Sequence, residues 1–393
     1  MALRGTNQEF GRPYNRRIVL ETIRLHAPIT RADIARRVGL TTQTVANIVR
    51  EIAEQGFIVS GREAPKGRGY PAETLAVNPE GGFAVGVHVT PRGLEAGLIN
   101  LAGEVIGRAR RDLPRVDPDT AFREIEAMVA ELSALRPNGR KLGVGMAMPG
   151  PFGVESMSFV GPTTLEGWKG VPVRQALATA TGLPAFIEVD LAAAAHGERL
   201  YGAGRDFRDF YYLYFGVGLG GSMVHDGAAL RGAWGNAGEI GHMPVVPDGD
   251  PCPCGNRGCL ERYVSLEAWE RNAHRLGEER WVAEAAPLFR TALVTIENLF
   301  DPETIVVGGL APKSLIERLA EAAAPLPNSI AARRDRRVPR LTLSSVGQDA
   351  VLLGAAALAV SGVLSPRFGM MFADGPRRGA RDPIVESTGA RAA

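Results

Sequence analysis

Three cysteines and one histidine constrain this chain more than anything else in it. All three cysteines fall in Cys252-Pro253-Cys254-Gly255-Asn256-Arg257-Gly258-Cys259-Leu260-Glu261, and Gly238-Glu239-Ile240-Gly241-His242 precedes them. Nine residues separate His242 from Cys252; Cys254 follows two positions later and Cys259 five after that. One imidazole and three thiolates are the ligand set of a closed, tetrahedral, structural Zn2+ site. The glycines let the backbone turn tightly enough for sulfurs five residues apart to meet at one ion. The plainer alternative is three buried thiols beside an unrelated histidine. It is disfavoured because His/Cys clusters at ligand spacing usually signal metal. Four protein ligands leave no position for a reactive water, so the pattern predicts a structural ion held by His242, Cys252, Cys254 and Cys259.

A chain of 393 residues is long enough for two or three domains with sizeable cores. Its 45% hydrophobic and 22% charged residues are those of a globular protein, not of a disordered one. No apolar run approaches the length of a membrane span, and Met1–Phe10 lacks the apolar core of a signal peptide. With the cysteines assigned to metal, no disulfide framework is implied; a reducing, cytoplasmic setting without a membrane partner is expected. The net charge of +2 is unevenly spread. Residues 1–70 hold 12 Lys+Arg against 6 Asp+Glu, which leaves the other 323 residues at −4. A basic N-terminal block on a mildly acidic body points to a polyanionic partner for that block.

Residues 1–14 show no pattern and read as an arm. From Asn15 to His26, Ile18, Val19, Ile23 and Leu25 fit one helical face. Pro28 breaks it, and Thr30 with Asp33 forms a loose capping box for a short helix over Arg31 to Val38. Gly39-Leu40 makes a turn. Thr41 or Thr42 then caps a third helix to about Gln55, with Val45, Ile48, Val49 and Ile52 facing inward. This is the helix-turn-helix pattern, whose second helix enters the major groove. Phe57-Ile58-Val59 and Leu75-Ala76-Val77 read as strands flanking a basic loop from Gly61 to Pro71, which makes a wing. Thr42, Gln43, Thr44, Asn47 and Arg50 project outward and are candidates to read base edges. Arg62, Lys66 and Arg68 are candidates to neutralise phosphate. The rival reading is a three-helix domain with a solvated polar face.

Asn78-Pro79 and Gly81-Gly82 mark a boundary, giving a head over residues 1–78. Strands are expected at Phe83–Val89, Leu94–Asn100, Val105–Arg111, Lys141–Met148 and Ala185–Val189, with helices at Pro118–Leu135 and Val173–Thr181. Alternating strands and helices argue for an α/β body. A first lobe over 79–190 is expected, closed by a C-terminal helix over 350–362. A second lobe over 191–349 carries the metal loop 242–261. It opens with an alanine-rich helix, then a strand at Phe210–Phe215 and Gly216-Val217-Gly218-Leu219-Gly220-Gly221. The tail 366–393 is rich in Arg, Gly and Pro and reads as disordered.

The string GH, spacer, CxCGxxGCxE closely resembles the zinc signature of the ROK family (repressors, open reading frames and sugar kinases). The strand order resembles a lobe of the actin-like ATPase (ribonuclease H-like) fold, which the family shares. The resemblance covers about residues 15–365. It implies sugar contacts at Glu239, His242 and Glu261, and its repressors carry a winged helix in front of the sugar-binding body. In family kinases the segment resembling NDxNAxAxGE supplies a general base. Here it reads Val189-Asp190-Leu191-Ala192-Ala193-Ala194-Ala195-His196-Gly197-Glu198, with Asp190 at the base position and Val189 in place of a sugar-binding Asn. Asp190 equally suits a helix N-cap. Trp168 suits either stacking on a sugar or core packing.

The phosphate loops of family kinases are eroded here. Where they resemble DxGxT, this chain has His88-Val89-Thr90-Pro91-Arg92; His88 stands in the place of the acid and Pro91 removes a backbone donor. Where they resemble GTG, Val217 replaces the Thr. The expected function is therefore a DNA-binding regulator, a repressor of sugar metabolism, and not an enzyme. Its partners are operator DNA and a sugar or sugar phosphate bound near Asp190, Glu239, His242 and Glu261, in a homodimer or homotetramer. The alternatives are an ATP-dependent sugar kinase and a zinc-loop protein-binding regulator without sugar.

Overall fold

The computed structural model describes residues 11–62, 73–150, 165–168, 170–233, 235–331, 333 and 335–364. The side chain of Arg62, all of Lys66 and Arg68, and the tail from Pro366 lie outside the described residues. Helix α1 (Gly11–His26) starts before the expected Asn15. Pro13 sits in its first turn, where a missing N–H breaks no intrahelical bond. Strand β1 (Ile29–Thr30) leads into α2 (Arg31–Val38), whose first turn is capped where Thr30 Oγ1 accepts from Asp33 N at 3.2 Å. Gly39 ends α2 at φ 69°, the left-handed conformation glycine adopts without strain. Helix α3 (Thr42–Glu54) is capped by Thr41, which accepts from Thr44 N at 3.1 Å. Strands β2 (Ile58–Arg62) and β3 (Glu73–Val77) pair antiparallel, and β1 adds to β3, giving a small sheet of order β1-β3-β2.

The body repeats one arrangement twice. Strands β4 (Phe83–Thr90), β5 (Gly93–Asn100) and β6 (Val105–Asp112) run antiparallel. Helix α4 (Pro118–Ala134) precedes β7 (Lys141–Met148), and α5 (Val173–Thr181) precedes β8 (Ala185–Val189). The sheet order is β6-β5-β4-β7-β8, with β7 parallel to both β4 and β8. After α6 (Asp190–Tyr201) the pattern recurs with β9 (Phe210–Phe215), β10 (Leu219–His225) and β11 (Ala228–Ala229). Helices α7 (Leu266–Leu276) and α8 (Glu278–Phe300), β12 (Thr304–Gly309), α9 (Lys313–Ala323) and β13 (Leu341–Leu343) follow. Their sheet order is β11-β10-β9-β12-β13.

Helix α10 (Ala350–Leu364) returns to the first sheet and packs on β4, β7 and β8, while α6 packs on β9 and β10 and against α10 itself. The two helices thus lie between the two sheets. Small residues let them cross closely: a β-carbon on Gly354 would stand 1.8 Å from Ala193 O. The expectation that nothing approaches a membrane span needs correction here. Gly347–Leu364 is long and apolar enough by composition, and 78% of it is buried inside the protein. A helix covered on every side by sheet and helix is apolar all round, as a core helix must be.

The head is welded to the body. One apolar cluster runs from Ile18, Val45 and Ile52 of the head through Leu101 and Leu142 to Leu352, Ala356 and Val360 of α10. At the join, Asn78 Nδ2 donates to Gly56 O at 2.7 Å. The Arg140 guanidinium lies 4.3 Å over the Phe57 ring and donates to Gln55 O at 3.0 Å.

Candidate functional site

A cleft of about 370 Å³ opens between the two lobes. Its walls are the residues that follow strand ends: Pro149 after β7, Asp190 after β8, Val217 after β9 and Leu310 after β12. Ligands of α/β sheets gather at the carboxyl ends of strands because the chain turns away there and leaves a crevice. Asp190, Glu239, His242 and Glu261, distant in sequence, all line this one cavity.

Asp190 is the first residue of α6, and Val189 occupies the cap position without a side-chain bond. The N-cap alternative therefore fails: Asp190 lies one position inside the helix, and its Oδ1 accepts from the adjacent Leu191 N at 2.8 Å. Burial pushes its carboxyl up to about 7, and the nearby Glu239 adds to the rise. Burial likewise raises Glu239, against a lowering by His242. Ordinary aspartate ionises near 3.8. Between about 4 and 7 the unfolded chain has lost a proton that the folded chain keeps, so folding stability falls as pH rises through this window and levels above it. Asp190→Asn is expected to remove that fall. Its Tm should exceed wild type at pH 8 and converge on it toward pH 4 in scanning calorimetry; a variant less stable than wild type at pH 8 would contradict the burial argument.

The metal-ligand candidates meet on the same wall. His242, Cys252, Cys254 and Cys259 each offer one ligand atom, and these atoms all lie within 4.8 Å of one another. Cys252 Sγ is 3.5 Å from His242 Nδ1, and Cys254 Sγ is 3.7 Å from Cys259 Sγ. A tetrahedral ion with metal–sulfur bonds of about 2.3 Å sets its ligand atoms about 3.8 Å apart, so the group can hold a metal ion. Nδ1 faces the sulfurs, while Nε2 turns toward Glu239 Oε2 at 3.8 Å, on the cleft side. Glu261 Oε1 lies 3.3 Å from Cys252 Sγ and 3.4 Å from His242 Nδ1.

Several cleft residues escaped the sequence reading as cavity wall. His88, noted only as a replaced acid, lines it, as do Thr90, Tyr214 and Arg262. Arg262 is committed to Glu267, donating at 2.9 Å. Trp168 does not line the cleft. It is buried in the first lobe, its ring lies tilted against Phe122 with centroids 5.4 Å apart, and it donates to Val116 O at 2.7 Å, so it is a core residue. Gly220 and Gly221 belong to strand β10 and face Tyr214 and Leu213 across the ladder, so the glycine run is a loop only at Gly216–Gly218.

On α3, Thr42, Gln43, Asn47 and Arg50 are exposed. Thr44 differs: it is half-buried and its hydroxyl pairs with that of Thr41 at 2.8 Å, which ties it to the cap. A second cavity, of about 520 Å³, separates α1 and α2 from α6. Much of its charge is internally satisfied, with Arg231 on Glu188, Arg208 on Asp226 and Arg199 donating to Gly227 O at 3.0 Å.

Comparison with known proteins agrees with this architecture. The sequence profile of the MarR family matches residues 10–69, the segment of the winged helix. The chain is 28% identical to the xylose repressor of Caldicellulosiruptor bescii, over 89% of this chain and 96% of that one. It is 24% identical to the xylose repressor of Bacillus subtilis, over 90% and 97%. The glucokinase of Thermotoga maritima is 33% identical over 48% of this chain and 58% of its own. Among solved structures, a ROK family transcriptional regulator described as a homolog of the E. coli MLC protein superposes with a TM-score of 0.71 at 23% identity, covering 91% of this chain and 98% of that one. A ROK family glucokinase from Streptomyces griseus, in complex with glucose and AMPPNP, superposes with a TM-score of 0.59 at 26% identity, over 72% and 100%. The ROK family profile matches residues 84–361, well over half of the chain, and the protein belongs to the ROK family.

Proposed function

We propose that this protein is a transcriptional repressor of sugar metabolism, whose winged head binds double-stranded operator DNA and whose interlobe cleft binds a sugar effector. The observation that carries this reading is a packed path from cleft to head: α6 begins in the cleft at Asp190, crosses α10, and α10 shares one apolar core with α1 and α3. A ligand that favours one lobe arrangement therefore acts on the position of the head, shifting a two-state equilibrium. The head spans residues 1–78 in this reading, and the lobes span 79–190 and 191–349.

In the cleft, Asp190, Glu239, His242 and Glu261 hydrogen-bond the sugar hydroxyls. The ion is Zn2+, held by His242, Cys252, Cys254 and Cys259; four protein ligands make it structural, fixing the loop that presents Glu239 and Glu261. Two relatives that align almost end to end are xylose repressors, so D-xylose is the first sugar to test. On DNA, Gln43, Asn47 and Arg50 reach base edges, Thr42 and Thr44 lie at the helix start, and Arg62, Lys66 and Arg68 meet phosphate. A symmetric dimer, or a tetramer, places two heads on a palindrome with half-sites about 34 Å or a multiple apart. A DNA partner puts the protein in the cytoplasm.

Phosphoryl transfer is disfavoured because His88 stands where kinases need an acid, and Pro91 offers no N–H to a phosphate. Fluorescence anisotropy on DNA from upstream of the gene, against random DNA, tests the head. Asn47→Ala and Arg50→Ala are each expected to weaken selective binding about tenfold or more, on the scale of about 1–3 kcal/mol per base contact. Equal binding to both DNAs would count against the reading. A coupled ADP-release assay with Mg-ATP is expected to show no turnover; turnover lost in Asp190→Ala would establish the kinase alternative.

A further inference from the structure

Two buried polar side chains line the cleft, one from the first strand of each sheet. His88, on β4, is 5% exposed, and among the described residues no group hydrogen-bonds its ring. Tyr214, on β9, is also 5% exposed, and among the described residues its hydroxyl has no hydrogen-bond partner. Both line the interlobe cavity. Buried polar groups are ordinarily paired, and one left without a partner calls for a reason. The hydroxyls of Tyr211 and Tyr212 on the same strand also lack a partner among the described residues, but neither residue lines the cavity, whereas Tyr214 does and lies by Asp190.

We infer that His88 and Tyr214 are ligand contacts, one from each lobe, that hydrogen-bond hydroxyls of a single uncharged polyol and so bridge the cleft. This rests on the reading of the cleft as a sugar site and adds two contacts and a charge preference to it. The charge preference follows from the surroundings. Asp190, Glu239, Glu261 and Glu267 line the cavity, and its arginine, Arg262, is already paired with Glu267. Burial holds the His88 imidazole down at about 4, so it is neutral near pH 7 and brings no positive charge. Among the described residues, a phosphate dianion in this cleft would face carboxylates without a free cation, whereas hydroxyls can both donate to the carboxylates and pair with an imidazole or a phenol. Because the two groups come from different lobes, a ligand that satisfies both draws the sheets together.

Isothermal titration calorimetry on the full chain tests the inference with D-xylose, D-glucose and glucose 6-phosphate as probes. Wild type is expected to bind one of the uncharged sugars at least tenfold tighter than the phosphate. Tyr214→Phe, which removes only the hydroxyl, and His88→Leu are each expected to weaken that sugar about tenfold or more. Their operator affinity without sugar should stay at the wild-type level. His88→Asn, which keeps a donor and an acceptor, should recover part of the loss, an outcome a merely structural histidine would not give. Wild-type sugar affinity in both Tyr214→Phe and His88→Leu would overturn this inference and leave the sugar site standing. No binding of any uncharged probe by wild type would remove the sugar site and this inference together.

Discussion

A Gly354→Val substitution is expected to be the most damaging single change in the body. At Gly354, α10 crosses α6 so closely that a β-carbon would stand 1.8 Å from Ala193 O and 2.3 Å from its carbonyl carbon. Those are backbone atoms, so no side-chain rotation relieves the clash and one helix must move. Gly197 faces the crossing from the other side, where a β-carbon would meet Ala350 O at 2.6 Å. Overpacking a well-filled core costs about 1–3 kcal/mol when side chains can yield, and more when backbone is met. A branched side chain here is therefore expected to cost about 3 kcal/mol or more, a large part of the ~5–15 kcal/mol that holds a typical domain together. Because α10 also carries the head, stability and operator affinity should fall together. Calorimetric melting and anisotropy measure both; a variant that melts within a degree or two of wild type would show that the crossing does not control the fold.

Losing the metal should disarm the cleft without disarming the head. In Cys254→Ser the ligand group loses one thiolate, and bound zinc is expected to fall from about one per chain to well below that, since a structural site needs all four ligands. Glu239 lies three residues before His242 and Glu261 two after Cys259, so both carboxylates are expected to depend on the loop that a bound ion would close. Sugar affinity should drop at least tenfold, while operator affinity without sugar stays near wild type, because the loop lies in the second lobe and the head is anchored on α10. Elemental analysis and titration calorimetry read the two effects. A variant that keeps full zinc content, or that loses zinc and still binds sugar normally, would contradict the role given to the loop.

Much of the body was legible in the sequence because its strands are apolar runs closed by glycine and proline. Lys141–Met148, Val173–Thr181 and Ala185–Val189 have the expected limits. The ligand group was legible from spacing alone, since thiolates and imidazole carry their chemistry in any context. Other features depend on neighbours that a linear pattern does not show. Residues 1–14 read as an arm, yet α1 begins at Gly11 and its first turn tolerates Pro13. The apolar surface of α10 reads alike in lipid and in a core, and only the two flanking sheets decide between them. Phe210–Phe215 reads as one apolar strand, and nothing in that run distinguishes Tyr214, which lines the cleft, from Tyr211 and Tyr212. The convergence of Asp190 with Glu239 and Glu261 came from family resemblance, because long-range contacts between two lobes leave no periodic trace.

The central claim is that the cleft controls the head. Its most direct measurement is anisotropy of the protein on its operator during a titration with D-xylose and related uncharged sugars, in wild type and in Asp190→Asn. One sugar is expected to release wild-type protein from the operator at a concentration that also saturates the calorimetric binding curve, and to release Asp190→Asn only at much higher concentration. A sugar that binds the cleft to saturation and leaves operator affinity unchanged would contradict it.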